Sequence, residues 1–467
     1  MYRRPPAQNS SGYLAADTIA AIASAVGGPI AVLRVSGPAA FSVVAALAPT
    51  LGTPPARQLV RARLRDAEGR PLDDALAVRF VAPASYTGED VVELHVHGGG
   101  FVASRVLGAL AAAGARQALP GEFSFRAVRN GKLGLVEAQA VSELIQAANA
   151  GAAELALEKM AGAESRVLTE LAENLRTVAV FAEAGIDFSD QDLEEVAIPA
   201  LRVRLAPIVA QLEALASTFA RGSRVQEGVR VAFAGLPNAG KSSFFNRLLG
   251  EDRSIVSEIP GTTRDVIRER ITLEGARTSV TLRLEDTAGL RGARDPIERA
   301  GIERTRQAVL AADLVLFLVD PRENAGEVRA QWEALTSADP KLGDRAIGLL
   351  TKSDLGPAES RRFSEISEWV ELSALTGQGM EDAIAAITRF CERWVFRGTG
   401  ELLLTRQDHL TAVVAALDHL KRAAASLAHE LFASDVRQAL HALGPLIGET
   451  PADDILGRIF SDFCIGK

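Results

Sequence analysis

Apolar and polar positions alternate along the first part of the chain in short runs separated by turns. The runs 29–37, 74–83 and 89–100 have the period-two alternation of half-buried strands, and 100–116 has the spacing of an amphipathic helix. Because strands and a helix occur together in a short stretch, we predict a small α+β domain over residues 1–127.

A different periodicity follows. Residues 128–227 place apolar side chains three and four positions apart, which predicts long amphipathic helices, and the same spacing returns over 391–467. Between them, 228–390 alternates strand-like and helix-like stretches, a pattern typical of a mostly parallel sheet covered by helices. The sequence therefore predicts a multidomain α/β and α protein whose helical domain, in two parts, is interrupted by an inserted α/β domain.

Composition narrows the class of protein. The chain of 467 residues is 48% hydrophobic and 24% charged, with a net charge of −8, so any binding to nucleic acid must be local or shared with a partner. The two cysteines, Cys391 and Cys464, are too few for a disulfide framework and indicate a reducing compartment. No apolar run is long enough to span a membrane, and we expect a cytoplasmic protein.

The stretch "GLPNAGKSS" (235–243) fits G-x-x-x-x-G-K-[ST] between a predicted strand and a predicted helix. Its glycines let successive backbone N–H groups point at phosphate oxygens, Lys241 bridges the β- and γ-phosphates, and Ser242 ligates Mg²⁺. The predicted contacts of this phosphate loop are Asn238, Ala239, Gly240, Lys241, Ser242 and Ser243.

Three later motifs make GTP the expected nucleotide. In "DTAGL" (286–290) Asp286 reaches Mg²⁺ through water, and in "TKSD" (351–354) the terminal aspartate accepts two hydrogen bonds from guanine that adenine cannot donate. "SA" at 373–374 offers a backbone N–H to the guanine O6. The predicted contacts of the three motifs are Asp286, Thr287, Ala288, Gly289, Lys352, Asp354, Ser373 and Ala374. Together, the four motifs predict an inserted Ras-like P-loop GTPase domain.

The position directly after "DTAG" is Leu290, which cannot align the attacking water as a glutamine does in many GTPases. In "EIPGTTRD" (258–265), Thr263 can reach Mg²⁺ and the turn leaves backbone carbonyls free. These carbonyls, with the amide oxygen of Asn238, suit a monovalent cation at the place of an arginine finger. The alternative is that Asn238 only bonds to its own loop.

Six stretches of the sequence carry a resemblance to the MnmE (TrmE) family of tRNA-modification GTPases, which covers the chain from about Asp17 to Lys467. They are "PASYTGEDVVELHVHGG", "LPGEFSFRAVRNGKL", "GLPNAGKSS", "GTTRD", "DTAGLRGARDPIERAGIER" and "DDILGRIFSDFCIGK". The resemblance implies a homodimer joined through N-terminal domains that are similar to folate-binding domains, and a GTPase activated by K⁺.

The resemblance also implies a reaction. With the FAD protein MnmG, in a heterotetramer or larger complex, a member of this family adds a carboxymethylaminomethyl or aminomethyl group to C5 of the wobble uridine of certain tRNAs. The one-carbon unit comes from a tetrahydrofolate, in its 5-formyl or 5,10-methylene form. FAD enters only through the partner protein.

Site residues follow from the same resemblance. Glu298 matches a catalytic glutamate that orients the water through a bridging water, and Cys464 matches a functional cysteine. Mg²⁺ is expected at Ser242 and Thr263, with Ser257 and Thr262 among the nucleotide contacts. The implied K⁺ ligands are Asn238, Ser257, Ile259 and Thr262, and the implied folate contacts are Arg34, Glu93, Lys132 and Lys467. One departure is Thr351, where the family usually has asparagine.

Alternatives stand beside these predictions. Residues 464–467 have the length of a prenylation box, but a glycine and a lysine stand in its last two positions. Glu93, His95 and His97 share one face of a strand and suit either a metal or a pocket wall. The rival functions are an RNA or ribosome-assembly GTPase switch of the Era or Der type, and a regulatory signalling GTPase.

Overall fold

Two compact units make up this protein, seen in a computed structural model. One unit comprises Met1–Ser142, Lys159–Leu205 and Asp418–Lys467, and the other comprises Glu143–Glu158 and Ala206–Leu417. The predicted four-part division of the chain stays a prediction. The residues that the structure describes are 17–49, 55–187, 194–250, 254–257, 269–275, 279–284, 306–356, 362–395, 401–448, 456, 459–460, 463 and 465–466.

The N-terminal domain is built on a six-stranded sheet with the order β3-β4-β5-β2-β1-β6. Its strands are β1 Ile19–Ile22, β2 Ile30–Ser36, β3 Val60–Arg65, β4 Pro71–Phe80, β5 Val91–His97 and β6 Arg116–Gln117. Neighbouring strands are antiparallel except β1 and β6. This α+β architecture confirms the strands predicted over 29–37, 74–83 and 89–100.

Helices α1 (Ala40–Leu47) and α2 (Gly100–Ala112) cover one face of this sheet. Every second residue of β2, such as Leu33 and Val35, joins their apolar side chains in one core. The alternate residues of β2 and β5 point to the opposite face. A third helix, α3 (Glu122–Arg129), follows β6.

The inserted domain is built on a seven-stranded sheet with the order β13-β12-β11-β7-β10-β9-β8. The strands are β7 Val229–Ala234, β8 Ser254–Ser257, β9 Glu269–Glu274, β10 Ser279–Leu284, β11 Leu314–Val319, β12 Ala346–Leu350 and β13 Glu368–Glu371. All pairs are parallel except those that β9 makes with β8 and β10, which confirms the predicted mostly parallel sheet.

Strands β11 and β12 are buried at every position, because apolar clusters lie on both faces of the sheet. The helices of this domain include α9 (Lys241–Leu249), α10 (Ala325–Thr336) and α11 (Met380–Val395), and residues 306–311 are also helical. Such strands read as unbroken apolar runs, as "LVLFLV" does in the sequence.

The remaining helices lie before and after the inserted domain in the sequence. They are α4 Leu135–Gln146, α5 Ala150–Met160, α6 Ala163–Asp187, α7 Ile198–Ser217, α8 Phe219–Glu227, α12 Gln407–Ala425 and α13 His429–Leu443. Helix α6 packs on α13, where the His429 ring lies against Gly185 and its Nε2 donates to the Val196 carbonyl at 2.8 Å. Within the described ranges, no helix has the length and apolarity needed to cross a membrane.

A buried asparagine fixes the start of α5 to the inserted domain, within one compact unit. The Asn149 Nδ2 donates to the Val225 carbonyl at 3.2 Å and to the Thr281 hydroxyl at 3.0 Å, while its Oδ1 accepts from the Ala152 N–H at 2.8 Å. One side chain thus joins α5, the end of α8 and strand β10. Removing the amide would leave the Val225 carbonyl and the Ala152 N–H without this partner in a buried place, whereas the Thr281 hydroxyl also lies 3.2 Å from that of Thr272.

We expect Asn149→Ala to lower the free energy of unfolding of this unit by about 2 to 3 kcal/mol, since it leaves buried polar groups unpaired. The matched control is Asn324→Ala, which removes an exposed asparagine that caps α10 through the N–H groups of Gly326 and Glu327 and costs about 1 kcal/mol. All three tryptophans lie in this unit, so urea unfolding followed by tryptophan fluorescence reports on it alone. Equal losses in the two variants would contradict the role of Asn149.

Candidate nucleotide-binding site

The loop between β7 and α9 has the backbone shape that the phosphate-loop motif predicts. Gly235 has φ +141°, and a Cβ there would lie 2.2 Å from the Leu318 carbonyl oxygen, so only glycine fits. Asn238 (φ +69°) and Gly240 (φ +90°) lie in the left-handed region, which turns the chain tightly before α9 begins. The loop therefore leads into the N-terminus of a helix, where free N–H groups and the helix dipole favour an anion.

Lys241 folds back over this loop. Its Nζ donates to the carbonyls of Gly235 and Leu236, each at 2.7 Å. Burial lowers the pKa of Lys241, and the negative charge of Glu323 opposes that shift. The ammonium thus lies at the mouth of the predicted phosphate site, and Ser242 follows it in the first turn of α9.

Four parallel strands place their carboxyl ends at one edge of the sheet, because β7, β11, β12 and β13 are successive neighbours. The phosphate loop follows β7, the "TKSD" motif follows β12, and Ser373 and Ala374 follow β13. Ligands of open α/β sheets bind at this edge. Three of the motifs, which are far apart in the sequence, are therefore brought to one side of the domain.

The guanine motif is bonded directly to the phosphate loop. The Thr351 hydroxyl donates to the Ala239 carbonyl at 2.8 Å and lies 3.2 Å from the Val319 carbonyl. Thr351 therefore links the two motifs directly. The Ser353 N–H donates to the Leu372 carbonyl at 3.2 Å, which ties the same motif to the end of β13.

The residues predicted to bind the base differ in exposure. Asp354 is exposed in a short 3₁₀ turn over Ser353–Leu355. Ser373 is buried, and its Oγ accepts from the Thr376 N–H at 3.2 Å, so the loop that follows β13 is held in place by its own hydrogen bond.

Sequence reasoning gave no role to Asp320, which directly follows β11 at the same edge. Its Oδ2 lies 2.8 Å from Lys352 Nζ, and its two oxygens also accept from the Arg322 side chain at 2.7 and 2.9 Å. The Arg322 guanidinium holds the pKa of Asp320 well below its usual range, against the opposing effect of burial. The available signal was an aspartate at the end of a fully apolar run.

Several predicted residues lie outside the part of the chain that the structure describes, and of Ser257, which ends β8, only the backbone is described. Their roles stay predictions. They are Ile259, Thr262, Thr263, Asp286, Thr287, Ala288, Gly289, Glu298, Cys464 and Lys467.

In the N-terminal domain, two of the predicted folate residues contact each other. Arg34 and Glu93 are direct cross-strand neighbours on β2 and β5, with Arg34 Nε 2.9 Å and Nη2 2.8 Å from the Glu93 Oε1. The Arg34 guanidinium also lies 5.1 Å from the Tyr86 ring and 5.5 Å from the Phe123 ring. Lys132 lies against Gly88, in the loop that carries Tyr86.

Two of the three side chains of the alternative metal site on β5 are paired with other residues. His97 Nδ1 lies 2.6 Å from Asp73 Oδ1, and Glu93 is paired with Arg34. Among the residues described here, no group of three or more histidine, cysteine, aspartate or glutamate side chains is arranged to hold a metal ion.

The described residues next to Cys464 pack on the N-terminal domain. The Phe463 ring lies 4.8 Å from the Phe460 ring, and Ile465 forms a β-bridge with Pro120. The other cysteine, Cys391, is buried within α11, and burial raises the pKa of its thiol. Cys391 is thus a packing residue in an uncharged form.

Comparisons with known proteins cover nearly the whole chain. A family model described as "MnmE helical domain" matches residues 135–464, and one described as "GTP-binding protein TrmE N-terminus" matches residues 18–132. The chain belongs to the MnmE family. Its membership confirms the predicted fold class, an N-terminal α+β domain and a helical region around a P-loop GTPase domain, and the predicted enzyme class, a GTP hydrolase.

Relatives within the MnmE family are similar over their full length. The protein of Azoarcus sp. (strain BH72) is 42% identical, with 97% of this chain and 98% of the relative covered. That of Neisseria meningitidis (strain FAM18) is 42% identical, with 96% and 99% covered, and that of Alkalilimnicola ehrlichii is 40% identical, with 97% and 100% covered. Each bears the name tRNA modification GTPase MnmE.

We expect Thr351→Val to raise the dissociation constant for GDP about tenfold, because the valine leaves the Ala239 carbonyl without its donor in a buried place. Thr351→Ser keeps the hydroxyl and is the matched control. Titration with a fluorescent GDP analogue measures both. A valine variant that binds GDP as tightly as the serine variant would show that this hydrogen bond does not support the nucleotide site.

Proposed function

We propose that this MnmE-family protein is a K⁺-activated GTPase that acts with the FAD protein MnmG on tRNA. Together they add a carboxymethylaminomethyl or aminomethyl group to C5 of the wobble uridine, with a one-carbon unit from 5-formyl- or 5,10-methylenetetrahydrofolate. The observation that carries the proposal is the 42% identity over 97% of the chain to a protein named tRNA modification GTPase MnmE.

GTP binding draws on the geometry at the carboxyl edge of the sheet. The turn before α9 and the Lys241 ammonium suit the β- and γ-phosphates, and Ser242 with Thr263 completes the protein ligands of Mg²⁺. When bound, Mg²⁺ neutralises charge on the phosphates. Glu298 orients the attacking water through a second water, since Leu290 has no polar group for that task.

Potassium takes the place of an arginine finger in this proposal. Asn238 supports it, because its exposed side chain projects from a left-handed position inside the phosphate loop, beside the expected β-phosphate. A cation at that point stabilises the negative charge that the transition state spreads over the phosphoryl oxygens. The proposed ligands are Asn238, Ser257, Ile259 and Thr262.

The folate site is proposed on the N-terminal sheet. The Glu93 carboxylate suits the guanidine-like edge of the pterin, and it is already oriented by Arg34, which two aromatic rings hold in place. Lys132 and Lys467 would bind the carboxylates of the folate tail. The packing of Phe463 and Ile465 on this domain supports a role for Cys464 in the one-carbon chemistry.

A homodimer and a cytoplasmic location complete the proposal. The sheet face that carries Arg34 and Glu93, opposite α1 and α2, also exposes apolar side chains: Ile30 is 60% exposed and Leu76 is 46% exposed. Apolar side chains on an open sheet face favour pairing through the N-terminal domains. The dimer would bind MnmG in a heterotetramer or larger complex.

Potassium dependence tests the GTPase mechanism. We expect GTP hydrolysis in KCl to be at least about tenfold faster than in NaCl, because a cage of fixed oxygens selects a cation by size and coordination number. Asn238→Ala should remove most of this difference, whereas Asn246→Ala, an exposed asparagine on α9, should keep it. Equal rates of the native protein in the two salts would refute the cation site.

Nucleoside analysis of tRNA tests the whole function. In cells that lack the gene, we expect the wobble uridine to lose its C5 substituent. The native gene and a Cys391→Ala variant should restore it, whereas Cys464→Ser and Glu298→Ala should not. Unchanged tRNA nucleosides together with defective ribosome assembly would favour the alternative, a switch of the Era or Der type.

A further inference from the structure

We propose that Asp320 is a positioning residue for guanine binding, which holds the Lys352 ammonium so that the lysine stem forms one wall of the base pocket. The inference rests on the proposed function, a GTPase whose predicted nucleotide contacts include Lys352, and it takes the side chain of this lysine to cover the guanine base. Asp320 directly follows β11 and belongs to none of the four nucleotide-binding motifs.

Asp320 and Lys352 lie just beyond the ends of two adjacent strands of the sheet. Strands β11 and β12 are parallel neighbours, and the Thr351 N–H donates to the Val319 carbonyl at 2.9 Å, so the chain leaves both strands side by side. The Lys352 Nζ reaches the Asp320 Oδ2 at 2.8 Å. This contact places the lysine side chain along the carboxyl edge of the sheet, on the side where the phosphate loop lies.

Asp320 is a rigid anchor for this purpose. Its side chain is 7% exposed, and its Oδ1 accepts from both the backbone N–H and the Nε of Arg322, at 3.1 and 2.9 Å. The other oxygen accepts from the Nη2 of Arg322 at 2.7 Å and also contacts Lys352. A carboxylate that is fixed by three hydrogen bonds and partly buried orients a cation better than an exposed one can.

Lys352 needs such an anchor. Its backbone lies at φ +56°, a left-handed conformation that costs free energy in any residue with a Cβ, and its side chain has several rotatable bonds. Fixing the ammonium leaves the methylene stem as a preformed apolar surface. Asp354 follows two residues later, so the lysine stem and the Asp354 carboxylate are presented together, and less conformational entropy is lost when the base binds.

A double-mutant cycle measures this coupling in the full-length protein. The probe is a fluorescent GDP analogue, which is not hydrolysed. We expect Asp320→Asn to raise its dissociation constant about fivefold, since the neutral amide no longer holds the ammonium, and Lys352→Ala to raise it about tenfold. The double variant should bind like Lys352→Ala alone. Independent, multiplying effects would overturn the proposal, because a merely structural Asp320 acts whether or not the lysine is present.

Two further variants test whether weaker binding by Asp320→Asn results from misfolding. Lys352→Met keeps the stem and loses the ammonium, and it should weaken binding to the same degree as Asp320→Asn. Asp339→Asn is the matched control, because the Asp339 carboxylate pairs with Arg345 at 2.6 Å just before β12 begins, at the opposite edge of the sheet. The dissociation constant of this variant for the GDP analogue should stay within about twofold of the native value.

The remaining outcomes distinguish the anchoring of Lys352 by Asp320 from the assignment of Lys352 to the guanine site. Binding by Lys352→Met that equals the native protein, while Lys352→Ala is weakened, would overturn the anchoring by Asp320 and leave the guanine site intact. If Lys352→Ala itself binds GDP like the native protein, the assignment of the lysine to the base fails, and the anchoring proposal fails with it.

Discussion

The parallel pairing of β7, β11, β12 and β13 is the constraint on which the nucleotide site depends. Because all four strands end at one edge, loops from distant parts of the sequence meet there. The pairing is itself secured by burial of whole strands, since β11 and β12 expose no position to solvent. The strands fix the ends of these loops, so few further contacts are needed to position them. The hydrogen bond from Thr351 to the phosphate loop is one such contact.

The N-terminal domain uses burial differently. One face of its sheet is sealed by α1 and α2, and the other carries charge, with Arg34 and Glu93 neutralising each other across neighbouring strands. Two aromatic rings on the arginine limit its contact with water, which strengthens the pair. Both side chains remain partly exposed on this face, which leaves the pair open to contact with a ligand.

Much of this architecture could be predicted from the sequence, because strand and helix periodicities differ and the phosphate loop has fixed spacing. Strands β1, β3 and β6 were not predicted: β6 has two residues, and β3 alternates its apolar side chains with arginines. The antiparallel β8 and β9 were also not recognised. The contact of Arg34 with Glu93 could not be predicted, since it depends on the register of β2 against β5, which is a tertiary property. The contact of Asp320 with Lys352 could not be predicted either, since it requires that β11 and β12 be neighbours in the sheet.

The polar contacts of the segment before α5 also bear on how this chain is made. Asn149 bonds to Thr281, and the Thr405 hydroxyl donates to the Glu143 carboxylate across 262 positions of sequence. Contacts of such long range close late, because the loop between them must first be ordered. During synthesis, the segment that carries Glu143 leaves the ribosome long before its partner exists. The hydrogen bond between Glu143 and Thr405 therefore forms only after residue 405 has emerged, late in translation and after the whole inserted domain has been synthesised.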